Sequence, residues 1–329
     1  MRLGSRLLAV VASGLLLAPA LAGAQDANWT VPQTAWGTPD LQGVWDFRTL
    51  TPMERPDDLE AQDTYTEEEA AAFEAQRLAE IAALDEEEPA DIVGNYNQFW
   101  FDRGSTVVQT NRTSLVTDPA DGRIPPLTAA AEARRAAEAK AREGTGRHMP
   151  TPGGFTEDLG SNGLQVRCIM GFNAGPPMTP SAYNNNLMIF QTPGQVVIYN
   201  EMVHNARIIP TDGEPHGELR QWSGDSRARW EGDVLVIETT NFLRETAFRG
   251  STADTQLVER LWRVDADTVL YEFTVEDPNS FTRPWTALFP LRRTDGPLYE
   301  YACHEGNYGL EGILAGARNK NTQAVDGSR

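Results

Sequence analysis

The chain predicts a mainly β protein: an antiparallel meander that closes on itself as a barrel, with two surface helices in its N-terminal half. Three observations carry this. Short β-branched or aromatic runs bounded by Gly, Pro or Asn fill most of the chain. Three pairs of such runs are separated only by turn-forming residues. Only two stretches carry a helical period.

In chain order, residues 1–24 read as a secretory signal. Arg2 and Arg6 charge its start, Leu7 to Leu17 supply a short apolar run, and Ala22-Gly23-Ala24 is a small-x-small cleavage site. The run is too short to span a bilayer, and nothing later approaches the roughly 20 apolar residues a spanning helix needs. The expectation is a single β-rich domain over residues 25–329, periplasmic or secreted, with no membrane insertion after cleavage. The formal charge of −19 argues against nucleic acid and anionic membrane surfaces as partners.

Leu41 to Phe47 reads as the first strand. From Asp57 to Asp91 acidic residues crowd together with Arg77 as the one basic residue. Within that run Thr66-Glu67-Glu68-Glu69 has the form of a capping box, and Phe73, Leu78, Ile81 and Leu84 follow at near-helical spacing, so a surface helix is expected near 66–84, stopped by Glu86-Glu87-Glu88-Pro89. Gln98 to Phe101 and Ser105 to Thr110 read as strands. A second, Ala-rich helix is expected near 128–143, with Thr128 as its cap after Pro125-Pro126 and Gly144 as its stop. The Gly- and Pro-rich stretch from Thr145 to Gly163, with His148, is loop.

Leu187 to Gln191 and Gln195 to Val203 are further strands. Hairpins follow: Arg229-Trp230 with Val234 to Thr240 around Glu231-Gly232-Asp233, Leu257 to Val264 with Thr268 to Val275, and Trp285 to Arg292 with Leu298 to Cys303. Period-2 alternation puts Val269, Tyr271, Phe273 and Val275 on one, core-facing side.

An export signal implies an oxidising compartment, where Cys168 and Cys303 pair as a disulfide, worth on the order of 4 kcal/mol for a loop of this length. A thiol nucleophile or metal thiolates would need reduced sulfur. The bridge joins Arg167-Cys168 to Cys303-His304-Glu305-Gly306-Asn307-Tyr308, and in a regular final strand Glu300 and His304 would share a face. A similar polar concentration runs from Glu201 through His204 to Arg207, with His216 beyond it.

The expected site is therefore acid/base chemistry by Glu201, His204, Arg207, Glu300, His304 and Glu305, with substrate contacts from Arg167, His216, Trp285 and Asn307. Arg207 or Arg167 would hold an anionic group. Two other readings stay open: zinc held by His204, His216 and His304, without any helical H-E-x-x-H spacing to support it, and buried His and Arg that only satisfy backbone groups. No metal or cofactor is expected. There is no G-x-S-x-G and no Gly-rich nucleotide loop.

Several motifs, among them Arg229-Trp230-Glu231-Gly232-Asp233, Tyr96-Asn97-Gln98-Phe99-Trp100-Phe101-Asp102-Arg103-Gly104 and Tyr301-Ala302-Cys303-His304-Glu305-Gly306-Asn307-Tyr308, resemble an uncharacterised exported family of environmental bacteria. That resemblance covers roughly Leu41 to Arg318 and transfers no mechanism. Gly43-Val44-Trp45 resembles the Gly-x-Trp that opens many lipocalin-like barrels, which implies a lipocalin-like barrel with a ligand inside it. The functional expectation is a periplasmic small-molecule enzyme of hydrolase or lyase type. The alternatives are a non-catalytic lipocalin-like binding protein for an apolar or aromatic ligand, and a structural envelope protein.

Overall fold

The computed structural model describes residues 29–59, 61–86, 101–146, 149, 151, 163–246 and 248–326. The signal segment, most of the strand expected at Gln98 to Phe101, the helix stop at Glu87-Glu88-Pro89 and most of the loop with His148 lie outside the described residues.

Among the described residues ten strands form one antiparallel sheet: β1 (Gly43–Asp46), β2 (Val116–Asp118), β3 (Asn186–Thr192), β4 (Gln195–Asn200), β5 (Ala206–Pro210), β6 (Asp225–Glu231), β7 (Val234–Thr240), β8 (Gln256–Arg263), β9 (Thr268–Glu276) and β10 (Trp285–Arg293). Their spatial order is β5-β4-β3-β1-β10-β9-β8-β7-β6, and β2 adds to β10. The terminal strands of this path, β5 and β6, approach within 8 Å at Cα without sharing a ladder, so the sheet curls into a nearly closed barrel.

The two expected helices are present and locally specified. Helix α1 (Glu67–Glu86) begins with the capping box: Glu69 N–H donates to Thr66 Oγ1 at 3.2 Å, and Thr66 N–H donates to Glu69 Oε2 at 2.8 Å. Helix α2 (Ala129–Ala141) has Thr128 as its cap, accepting from Ala131 N–H at 3.2 Å. A short α3 (Gly163–Val166) and an α4 near the C-terminus (Tyr308–Asp326) are the other α-helices among the described residues.

Two strand expectations are corrected. Leu298 to Cys303 is not a strand, because the free side of β10 is taken by β1, at Trp45 and Asp46, and by β2, at Val116 and Asp118. Ser105 to Thr110 is not one either: the N–H groups of Val107 and Val108 donate to the side chains of Glu74 and Thr51 instead of to a ladder.

Inward-facing residues fill the barrel. Trp45, Leu187, Ile189, Ile198, Leu261, Val269, Tyr271, Phe273, Trp285, Phe289 and Leu291 are essentially unexposed. A chain of ring contacts runs Phe47–Phe289–Tyr271–Phe273–Trp285–Phe248, with centroids 5.2 to 6.4 Å apart. As in small barrels generally, side chains occupy the space that a ligand would need.

Candidate functional site

The barrel has two chemically distinct ends. At one, the chain leaves β4 at Asn200 and re-enters at Ala206 through a tight turn in which Val203 and His204 have φ of +55° and +40°. A β-branched residue in the left-handed region is costly, and such outliers often mark sites where geometry is imposed. Val203 nevertheless buries its side chain, as does Met202, against Cys168 and Ala174.

The predicted disulfide is formed: Cys168 and Cys303 are bonded, with Cα atoms 5.7 Å apart. It ties the segment after α3 to the segment before α4 and brings Tyr301 to His204, whose Nδ1 lies 3.1 Å from the Tyr301 carbonyl oxygen. An Nδ1–H donating to that carbonyl leaves Nε2 as the basic nitrogen. The His304 ring stands 5.9 Å from that of His204, centroid to centroid, and both residues are exposed. Asn307 serves the same junction: its Nδ2 donates to Val166 O at 2.9 Å, and its Oδ1 accepts from Leu310 N–H at 3.2 Å, which makes it the cap of α4.

The remaining predicted residues disperse. Glu201 is buried, but its carboxylate accepts from Asn186 Nδ2 at 2.8 Å, not from an imidazole. Glu300, Glu305 and Arg167 are exposed, and among the described residues no carboxylate pairs with His204 or His304. Trp285 is core, with no exposure, and its expected substrate role is corrected accordingly. His216 lies against Asp225 instead, with Nδ1 3.7 Å from Oδ2. The three histidines do not converge: among the described residues no group of three or more His, Cys, Asp or Glu is placed to hold a metal ion.

Arg207 is likewise corrected. It points into the barrel, where Nη1 and Nη2 donate to Glu259 Oε2 and Oε1 at 2.7 and 2.8 Å, and Tyr271 OH donates to Glu259 Oε1 at 2.6 Å. Burial pulls the Arg207 guanidinium down, and the charge and hydrogen bonds of Glu259 more than reverse this, leaving it above its ordinary value. Burial, then the Glu259 charge, push the Tyr271 hydroxyl well above the usual tyrosine value. A guanidinium committed in this way has no fork left for a substrate anion.

The opposite end carries the β3–β4, β6–β7 and β8–β9 turns and is closed by the segment before β1, where Leu41 N–H donates to Gln191 Oε1 at 2.6 Å. Between that segment and the ends of β7 and β8 lies a cleft of about 490 Å³ lined by Trp29, Thr30, Gln33, Asp233, Trp262 and Arg263, with Val31 and Val234 completing it. It is an open surface cleft whose lining mixes two indole side chains with polar ones. Sequence reasoning missed this place. Trp262, a tryptophan in an expected strand, reads as core ahead of a stacking face for a sugar or aromatic ligand, and nothing local joins Trp29 to a residue more than two hundred positions later.

Among the described residues no helix is long and apolar enough to cross a membrane. No protein-family model matches the chain, and no curated protein matches it. Among solved structures it is similar to a crystal structure of a mutant of the fluorescent protein UnaG, at 11% identity over 41% of this chain and 89% of that one. The TM-score of 0.23 leaves that likeness without weight for fold or function.

Proposed function

We propose that this exported barrel binds a small aromatic or apolar molecule, at the cleft between Trp29 and Trp262 rather than in its interior. One observation carries the reading: an open space of about 490 Å³ faced by two indoles, on a barrel whose interior is filled by its own side chains. The test is calorimetric titration of the chain from residue 25 onward with 2-naphthalenemethanol, a neutral arene. A saturable heat is expected, weakened about 2- to 12-fold by Trp262→Leu, since one aromatic contact is worth about 0.5–1.5 kcal/mol. Absence of saturation, or equal affinity in the variant, rejects the reading.

A second reading, acid/base chemistry on a small molecule at the disulfide end, is favoured by one arrangement: His204 oriented through Nδ1 by the Tyr301 carbonyl, with the His304 imidazole beside it. His204 would be the base through Nε2, and His304 the partner that shares or returns the proton. Its test is turnover of a pooled set of esters and lactones, with His204→Gln and His304→Gln as controls. Turnover untouched by both substitutions, or none by the unaltered protein, removes it.

A further inference from the structure

We infer that the ligand of the tryptophan-faced cleft carries a carboxylate, received by Arg263; this rests on the binding reading above and names its ligand class. Arg263 is only 7% exposed, and it lines the cleft from the end of β8. Its Nη1 donates to Asp40 O at 3.2 Å and its Nη2 to Ala266 O, both neutral carbonyls. Among the described residues no carboxylate lies within ion-pair distance of it.

A buried guanidinium without an anionic partner is costly, because desolvation is not repaid by a neighbouring charge. Here the neighbourhood adds to the cost. Arg293 stands with its guanidinium carbon 5.0 Å from the centroid of the Trp45 ring, and that of Arg263 lies 5.5 Å from the same centroid. Burial and, after it, the Arg293 charge hold the Arg263 guanidinium below its ordinary value, opposed by the charges of Asp40, Asp265 and Asp267. The contrast with Arg207 is direct: that arginine has its carboxylate inside the barrel, and Arg263 lacks one at the barrel's end.

Two donors of these lining residues have no partner. Arg263 Nε and Trp29 Nε1 are buried N–H groups without a hydrogen-bond partner. Buried donors are nearly always satisfied, so this pair marks the Arg263 end of the cleft as short of acceptors. The Arg263 guanidinium carbon also lies 5.8 Å from the centroid of the Trp29 ring, which places positive charge beside an aromatic face. Asp233 on the same lining, in a chain of formal charge −19, disfavours polyanions such as phosphate esters and favours a single carboxylate on a flat unsaturated body.

The experiment compares 2-naphthoate with 2-naphthalenemethanol by calorimetry on the chain from residue 25 onward. The carboxylate is expected to bind about 10- to 100-fold tighter, the worth of a charge-assisted hydrogen bond. Arg263→Gln is expected to erase that preference, so that the two compounds bind alike. Equal affinities in the unaltered protein overturn the inference and leave the binding reading standing; no binding of either compound overturns both. A preference kept in Arg263→Gln would put the carboxylate elsewhere and also overturn it. Because the comparison between the two ligands is made on the unaltered protein, it holds even if Arg263→Gln does not fold.

Discussion

Arg207 on β5 and Glu259 on β8 meet inside the barrel in a two-pronged ion pair, both prongs under 3 Å, although these strands are not neighbours in the sheet. The pair bridges the lumen, and Tyr271 on β9 extends it to Met178, whose N–H donates to the tyrosine oxygen at 3.1 Å.

Removing one member strands the other. Arg207→Met leaves the Glu259 carboxylate buried with Tyr271 alone, and a loss of about 3–5 kcal/mol is expected. The double variant Arg207→Met with Glu259→Leu should recover most of it, since apolar replacement of a whole buried pair is often neutral or better. Urea midpoints at unchanged m-value measure both. Additive losses in the double variant would refute the account.

Gly171 and Met202 are packed so closely that a Cβ on Gly171 would lie 2.0 Å from Met202 Cγ and 3.2 Å from Met202 O. Gly171→Ala should therefore push the turn that carries His204, at a cost of about 1–3 kcal/mol. The imidazole Hε1 resonance of His204 should move with it. Shortening the neighbour, with Met202→Ala in the same chain, should restore that resonance, and the coupling between the two changes is read from the double-mutant cycle.

What was legible in the chain was what neighbours in sequence decide. The Thr66–Glu69 box, the Thr128 cap and the Gly232-Asp233 turn each act over a few residues, and each is where the local pattern puts it. The inward run Val269, Tyr271, Phe273, Val275 is fully buried for the same reason. The third hairpin failed because β10 finds its partners in β1 and β2, more than 160 residues back, and no local pattern records that competition. Helix α4 was hidden by Gly309, Gly312 and Gly316, although Asn307 as its cap was a readable signal.

The candidate site divides along the same line. The expected pairing of Cys168 with Cys303 is formed, and it carries His304 to His204. Which way Arg207 points was not readable. The turn at 201–205 restarts the alternation, and its partner lies 52 residues further on.

Asp277 supplies a pH dependence with a definite sign. Burial pushes its carboxyl up, but the Thr252 N–H, the Thr252 and Ser280 hydroxyls and the Asn279 N–H outweigh burial and hold it below its ordinary value. A carboxyl depressed in the folded state stabilises above its unfolded value, about pH 4, and that stability is lost as pH falls through the folded value. Urea midpoints should therefore separate unaltered protein from Asp277→Asn at neutral pH and converge in acid. A gap that stays constant down to about pH 2 would mean the charge contributes nothing.

The disulfide is expected to matter twice. It closes a loop of 135 residues, so replacing both cysteines by serine should cost about 2–5 kcal/mol, chiefly by freeing the unfolded chain. Its second effect is local. Tyr301 and His304 belong to a segment without a strand ladder, held to the barrel by the bridge, by Asn307 on Val166 O and by the contact of His204 with Tyr301 O. Without the bridge, amide exchange at 301–307 should rise by more than the global loss of stability explains, while exchange in β8 and β9 should follow the global change. Uniform acceleration across both regions would show that the bridge stabilises the fold without positioning the two imidazoles.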